Sequence, residues 1–184
     1  MEKGQLIILV GLPGSGKTTV GRLLAQEMQV PFHDFDDLLL SYSKTQGLEE
    51  DTPQTLYSSV GVERFRELER ETLKRMGDFK LGGGRVVLAA GGGTFEREEN
   101  RELLQIEATF VYLKVPLNDL IKRLSTNPDR PLFRKNGVQK TVEQLLARRE
   151  PIFMRIADIT VYSASEPPKV VEEIKKEIER GNID

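Results

Sequence analysis

The chain has 184 residues, of which 30% are charged, with a formal net charge of -2 and no cysteine. This length fits one domain with a substantial core, and the composition offers no basic excess for nucleic acid, no disulfide framework and no thiolate nucleophile or cysteine metal site. The first residues leave no room for a signal peptide and no apolar stretch approaches a membrane span, so we expect a soluble cytoplasmic protein.

The first predicted strand, Leu6–Val10, runs into Gly-Leu-Pro-Gly-Ser-Gly-Lys-Thr at residues 11–18, and a segment with helical periodicity follows. This strand–loop–helix context identifies a phosphate-binding loop. Its glycines let backbone N–H groups approach phosphate oxygens, Lys17 brings a charge to the β- and γ-phosphates, and the Thr18 hydroxyl can ligate Mg²⁺. A glycine-rich turn that binds nothing would not explain these features together, so we expect the chain to bind a nucleoside triphosphate.

Strands and helices alternate along the rest of the chain. The other predicted strands are Val30–His33, with Asp34 directly after it, then Val86–Ala90, Thr109–Leu113 and Ile159–Tyr162. The predicted helices span 17–28, 35–46, 61–77, 97–105, 116–125, 140–155 and 168–180. Nearly continuous apolar strands are typical of a parallel sheet covered on both faces, so the pattern predicts an α/β domain. Polar stretches with helix breakers lie at 47–53 and 125–137, and we expect the second to be a mobile lid.

Two carboxylates follow the second predicted strand, because residues 32–37 read Phe-His-Asp-Phe-Asp-Asp. At the carboxyl end of that strand, Asp34 and Asp36 would face the crevice where open α/β sheets bind their ligands. They would suit a Mg²⁺-linked water and a substrate hydroxyl. Capping of the next helix by either residue, with Asp37 solvated, explains the same pattern.

Arg66 and Glu69 share one face of the predicted helix 61–77 and can pair. The pair is either an exposed ion pair, worth well under about 1 kcal/mol, or an arginine held so that its fork meets a substrate carboxylate. The glycine run at 91–93 follows a strand, where it would let a ligand approach the backbone or simply form a tight turn. Arg130 and Arg149 are further candidates, although either would also suit a plain surface.

Together these segments resemble the shikimate kinase family in order and spacing, from about residue 5 to 162. The residues that carry the resemblance are Gly11–Thr18, Asp34-x-Asp36, Phe65-Arg66-x-x-Glu69, Gly91-Gly92-Gly93, Arg130-Pro131-Leu132, Arg149-x-Pro151-x-Phe153 and Ile156-Ala157-Asp158. The phosphate loop is shared by very many proteins, but the later motifs together are specific. The resemblance implies a three-layer fold of the nucleoside-monophosphate-kinase type, with a five-stranded parallel sheet in the order 2-3-1-4-5. It also implies one domain over 1–184, with a substrate-binding insertion at about 34–66 and a lid at about 125–137.

The resemblance further implies transfer of the γ-phosphoryl group of ATP to the 3-hydroxyl of shikimate by a monomer that binds neither nucleic acid nor membrane. The implied nucleotide contacts are Gly14, Ser15, Gly16, Lys17, Thr18, Thr19, Arg123 against the adenine, and Arg130 from the lid. The implied substrate contacts are Asp36 at the acceptor hydroxyl, Arg66 and Arg149 at the carboxylate, and Gly91, Gly92 and Gly93. Mg²⁺ would be held by Thr18 and, through water, by Asp34, and the catalytic residues would be Lys17, Asp36 and Arg130.

Two positions depart from the family's pattern. The family usually shows Gly-Glu ahead of Phe-Arg, whereas Gly61 is followed here by Val62 and then Glu63. The segment between Arg123 and Arg130 also lacks a second basic residue. The alternatives are a nucleoside monophosphate kinase, a gluconate-type sugar-acid kinase and a GTP-binding switch, and the last lacks its Asp-x-x-Gly and Asn-Lys-x-Asp motifs.

Overall fold

The computed structural model describes residues 6–78, 84–104, 108–126 and 136–181. Five strands form one parallel sheet: β1 (Leu6–Val10), β2 (Phe32–Asp34), β3 (Val86–Ala89), β4 (Ala108–Lys114) and β5 (Ile159–Tyr162). Their order across the sheet is β2-β3-β1-β4-β5, and Leu6 of the central strand is in register with Val86 on one side and Ala108 on the other. The α/β class and the strand order are therefore confirmed.

Helices cover both faces of the sheet. They are α1 (Lys17–Met28), α2 (Phe35–Thr45), α3 (Pro53–Asp78), α4 (Glu98–Leu104), α5 (Leu117–Ser125), α6 (Gly137–Ile156) and α7 (Pro167–Gly181), and a 3₁₀ turn spans Thr94–Glu96. Successive residues of β1 alternate between two hydrophobic clusters, with Ile8 in one and Ile7 in the other. Burial on both faces explains why the strand reads as an unbroken apolar run.

Helix α3 begins eight residues before the predicted start at residue 61. Thr52 and Thr55 cap it reciprocally, since each hydroxyl accepts the backbone N–H of the other, at 3.1 and 3.2 Å, and Pro53 suits the first helical position. The helix is broken at Gly61, where φ is 76° and ψ is 171°. A Cβ on Gly61 would meet nothing within 4 Å, so this glycine is required by the backbone conformation rather than by space.

The substrate-binding insertion at about 34–66 and the monomeric, cytoplasmic state remain predictions. Most of the predicted lid, residues 127–135 with Arg130, lies outside the described residues. Among the helices of the described part of the chain, none combines the length and the apolar character needed to cross a membrane.

Candidate active site

The carboxyl ends of β1, β2 and β3 converge on a cleft of about 820 Å³. Parallel strands bring these ends to one edge of the sheet, where ligands of α/β folds bind. The residues that line the cleft are Pro13, Gly14, Gly16, Lys17, Thr18, Thr19, Asp34, Asp36, Thr52, Gln54, Thr55, Ala90, Gly91 and Gly92. The structure therefore brings the phosphate loop, both predicted carboxylates and the start of the glycine run into one site.

The phosphate loop has the backbone of a phosphate-binding turn. Gly14 and Gly16 have φ of 80° and 92°, in the left-handed region that favours glycine, and Gly16 is the N-terminal cap of α1. The Lys17 ammonium donates hydrogen bonds to the carbonyls of Gly11, at 2.9 Å, and Leu12, at 3.1 Å. Loss of hydration lowers the pKa of Lys17 to about 8, although the carboxylate of Asp36 opposes this effect.

Ser15 does not take part in the cleft surface. Its side chain is buried under the loop, and among the described residues its hydroxyl has no hydrogen-bond partner. Its carbonyl accepts a hydrogen bond of 3.0 Å from the Ser163 hydroxyl, in the segment that follows β5. Arg123 joins the same two segments, since its guanidinium donates to the carbonyls of Gly14 at 3.2 Å and Ser163 at 2.8 Å. Sequence reasoning missed Ser163, and no motif marks it.

Asp34 both caps α2 and lines the cleft, so capping does not exclude its predicted place at the crevice. One carboxylate oxygen accepts the backbone N–H of Asp36 at 3.1 Å, which caps α2. The other accepts the Thr18 hydroxyl at 2.9 Å. A hydroxyl and a carboxylate side by side at a phosphate loop fit Mg²⁺, which prefers oxygen ligands and takes few of them from protein.

Asp36 is a half-buried carboxylate between the phosphate loop and the glycine run. Its pKa is raised to about 6, chiefly because burial disfavours the charged form and also because Asp34 is close, while Lys17 acts in the opposite direction. A Cβ on Gly91 would lie 3.0 Å from Asp36 Oδ1 and 2.6 Å from Thr94 Oγ1. Only glycine at position 91 lets the strand end approach the carboxylate this closely.

The Arg66–Glu69 pair is buried in part and is not a plain surface ion pair. Arg66 Nη1 lies 2.5 Å from Glu69 Oε2, and the Glu69 side chain is only 5% exposed. Thr94 donates to the other Glu69 oxygen at 3.3 Å, which ties α3 to the segment after the glycine run. Burial raises the pKa of Glu69, and the guanidinium of Arg66 opposes that rise.

Arg149 reaches the same place from α6. Its side chain is 11% exposed, and its Nε lies 2.6 Å from Glu96 Oε1. The neighbouring Arg148 is 60% exposed but also reaches Glu96, with its Nε 3.0 Å from Oε2. We call Arg66, Glu69, Glu96, Arg148 and Arg149 the arginine–glutamate cluster.

The two predicted arginines meet beside Gly93. A Cβ on Gly93 would lie 3.3 Å from Arg149 Nη2 and 3.4 Å from Arg66 Nη1, and one on Gly92 would lie 3.1 Å from Arg149 Nη1. Sequence reasoning missed Thr94, which donates to Glu69, and Glu96, which accepts from Arg149. Tertiary packing brings both pairs together. At the position that departs from the family's pattern, Val62 is exposed and the next residue, Glu63, forms an ion pair of 3.2 Å with Arg97.

The whole chain is similar to one family of kinases. The sequence model of that family, shikimate kinase, matches residues 13–179. Shikimate kinase of Bradyrhizobium diazoefficiens is 36% identical over 168 residues, which are 91% of this chain and 76% of that protein. The structure of shikimate kinase from Acinetobacter baumannii in complex with shikimate superposes with a TM-score of 0.82 and 28% identity, over 97% of this chain and 95% of that one. A gluconokinase from Sinorhizobium meliloti shares the fold alone, with a TM-score of 0.59 and 18% identity over 97% of this chain and 94% of that one.

Proposed function

Because the chain belongs to the shikimate kinase family and is an ATP-dependent phosphotransferase, we propose that the residues of the described cleft transfer the γ-phosphoryl group of ATP to the 3-hydroxyl of shikimate in the following way. One observation supports the proposal above the others. The Asp36 carboxylate lines one cleft with the phosphate loop and lies beside Gly91, and two guanidiniums converge beside Gly93 at the other end of the same glycine run. A substrate that carries one carboxylate and a reactive hydroxyl fits this arrangement.

The nucleotide phosphates bind to the backbone of the loop at Gly14–Thr19 and to the Lys17 ammonium. In the free protein this ammonium bonds the carbonyls of its own loop, so it must turn from them to the β- and γ-phosphates. Thr18 and, through water, Asp34 would hold Mg²⁺, which would neutralise charge on the phosphate oxygens. Arg123 lies against the adenine, and Arg130 closes onto the phosphates.

Asp36 orients the acceptor hydroxyl and accepts its proton as the phosphoryl group is transferred. A pKa of about 6 leaves this carboxylate ionised at neutral pH but more basic than an ordinary aspartate. A base whose pKa lies near the working pH is both present in the right form and able to take a proton. The lack of a side chain at Gly91 supports this role, because a Cβ there would lie 3.0 Å from Asp36 Oδ1.

Arg66 and Arg149 bind the substrate carboxylate beside Gly93. Guanidiniums bind carboxylates through two parallel hydrogen bonds, which orient the bound molecule as well as attracting it. Since the phosphoryl-transfer transition state needs positioning more than covalent help, an anchored carboxylate contributes directly to rate.

A coupled assay tests the proposal by offering the enzyme shikimate, gluconate and nucleoside monophosphates side by side with MgATP. We expect turnover with shikimate only, and none in the Lys17→Ala variant while its thermal melt stays cooperative. Faster turnover of gluconate or of a nucleoside monophosphate would refute the assigned acceptor. Activity of folded Lys17→Ala would refute the assigned site.

A further inference from the structure

The geometry points to Glu96 as a positioning residue that selects the edge of Arg149 available to the substrate carboxylate. This inference rests on the proposed function, because it specifies how the carboxylate of that substrate is bound. A guanidinium can meet a carboxylate side-on, through Nε and one Nη, or end-on, through Nη1 and Nη2. In the free protein Glu96 Oε1 already accepts the Nε–H of Arg149 at 2.6 Å. The side-on edge is therefore taken.

The end-on edge faces the glycine run. Nη1 and Nη2 of Arg149 approach Gly92 and Gly93 so closely that a Cβ at those positions would lie 3.1 and 3.3 Å away. The glycines keep this edge clear on the side where Arg66 also arrives. A carboxylate bound here would meet two nitrogens of Arg149 and one or more of Arg66.

Glu96 is itself held firmly in place. It ends the 3₁₀ turn that follows the glycine run, and its backbone N–H donates to the Gly93 carbonyl at 3.1 Å. Arg101 donates to the carbonyls of Phe95 and Glu96 at 2.8 and 2.9 Å. A side chain on so constrained a turn fixes the orientation of the longer arginine side chain that reaches it.

The charge of Glu96 is needed as well as its shape. Arg66 and Arg149 converge on Gly93 and repel each other, and Arg148 adds a third guanidinium. Burial lowers the pKa of Arg149 and Glu96 is the main opposing influence, so the carboxylate supports the charged guanidinium in its partly dehydrated place. Removing that charge should weaken the hold on Arg149 without touching the nucleotide site.

The test uses the isosteric variant Glu96→Gln in the full chain. We expect the KM for shikimate to rise about tenfold, since a neutral amide replaces one partner of a charged hydrogen bond, whereas kcat and the KM for ATP change less than twofold. The matched control is Glu63→Gln, an exposed carboxylate that pairs with Arg97 on the neighbouring segment. It should change none of the three constants. Equal changes in both KM values, or no change in that for shikimate, would overturn the inference.

A second arm separates positioning from general structural support. In the Arg149→Lys background, where no Nε edge exists, Glu96→Gln should add less than twofold to the KM for shikimate. A full tenfold addition would show that Glu96 acts through something other than Arg149.

The third arm needs no substrate. In ¹H–¹⁵N spectra of the free wild-type enzyme, the Arg149 Nε–H signal, assigned with Arg149→Lys, should be slow to exchange, and in Glu96→Gln it should exchange at least tenfold faster. A rapidly exchanging signal in the wild type would overturn the inference even if Glu96→Gln failed to fold. If the protein did not phosphorylate shikimate at all, this arm would still report on the Glu96–Arg149 bond, so the two failures are distinguishable.

Discussion

Replacing Asp36 with Asn should make the protein more stable and nearly inactive at once. Burial and the nearby Asp34 raise the pKa of Asp36 from 3.8 to about 6, net of the attraction from Lys17. At about 1.4 kcal/mol per pKa unit, this difference corresponds to roughly 3 kcal/mol by which the ionised carboxylate destabilises the fold at neutral pH. The side chain keeps some contact with water, so we expect the neutral amide to raise the free energy of unfolding by about 1–3 kcal/mol.

The effect has a defined pH dependence. Because the folded-state pKa of Asp36 is raised, the protonated carboxyl carries no penalty below about pH 4, and the penalty develops fully as pH rises through about 6. The Tm of Asp36→Asn should therefore equal that of the wild type near pH 4 and exceed it by roughly 2–12 °C at pH 8, at about 2–4 °C per kcal/mol for a domain of this size.

Thermal melts between pH 4 and 8, together with kcat for shikimate, measure both halves of this prediction. If Asp36 is the proton acceptor, kcat should fall by a factor of about 10²–10⁴. Asp37→Asn is the matched control, because Asp37 is an exposed neighbour on the same first turn of α2 and should change neither quantity much. An Asp36→Asn variant that is less stable than the wild type at pH 8, or that keeps its kcat, would refute the reasoning.

Three further predictions concern the cations. The affinity of the enzyme for MgADP should fall as pH rises through about 8, because the pKa of Lys17 is lowered to about that value and its ammonium loses its charge there. Titration calorimetry from pH 6 to 10 measures this affinity. A flat profile would contradict the assignment of Lys17 to the phosphates. Arg66→Lys and Arg149→Lys should each raise the KM for shikimate far more than the KM for ATP. The loss of binding free energy for shikimate should be about 1–3 kcal/mol. Equal effects on the two KM values would place these arginines outside the substrate site. Arg130→Ala should lower kcat by orders of magnitude, and hydrogen exchange over 125–137 should slow when nucleotide and shikimate bind; strong protection in the free protein would contradict a lid.

The strands and the phosphate loop were predictable because their signals are local. A strand buried on both faces must be apolar throughout, and β1 and β3 are. The loop needs glycine where φ is positive and a lysine at a fixed spacing, and both requirements appear directly in the sequence. The carboxyl ends of the strands then place Asp34 and Asp36 at the cleft with no further information.

The first half of α3 was not predicted, although the sequence contains a signal for it. The Thr-Pro start with a second threonine three residues later is a capping pattern, but the polar run before it favours a loop, and only Leu56 of the first turn is fully buried. Gly61 reads as a boundary, and in the structure two helical segments do meet there across a kink. A glycine in the left-handed region ends one helical segment and allows the next to start in a new direction.

Glu96 lay beyond prediction for a different reason. Its partners Arg148 and Arg149 are more than fifty residues away in the chain, and a single glutamate on a short turn has no periodicity or spacing to mark it. Arg148 and Arg149 are adjacent, so their side chains leave α6 in different directions. The structure shows that both still reach one carboxylate, because Glu96 lies between those directions.

The two ends of the site, the arginine–glutamate cluster and the phosphate loop, differ in the balance of their charges. In the arginine–glutamate cluster three guanidiniums face two carboxylates, which leaves one positive charge. On the proposed function, this charge would match the single carboxylate of the substrate. Apart from Arg148, these charges are partly buried, where they act more strongly than they would in water.

The charged side chains beside the phosphate loop have the opposite balance. The charged groups that act on Asp36 are the ammonium of Lys17 and the carboxylates of Asp34, Glu69 and Asp37, so this part of the cleft carries a negative balance. On the proposed function, Mg²⁺ at Thr18 and Asp34 and the side chain of Arg130 would bring positive charge to this part of the cleft. Burial, and after it the neighbouring carboxylate of Asp34, raise the pKa of Asp36 to about 6, and Lys17 opposes them. Further positive charge bound at the phosphate loop would lower that pKa, so the basicity of Asp36 should depend on whether the nucleotide is bound.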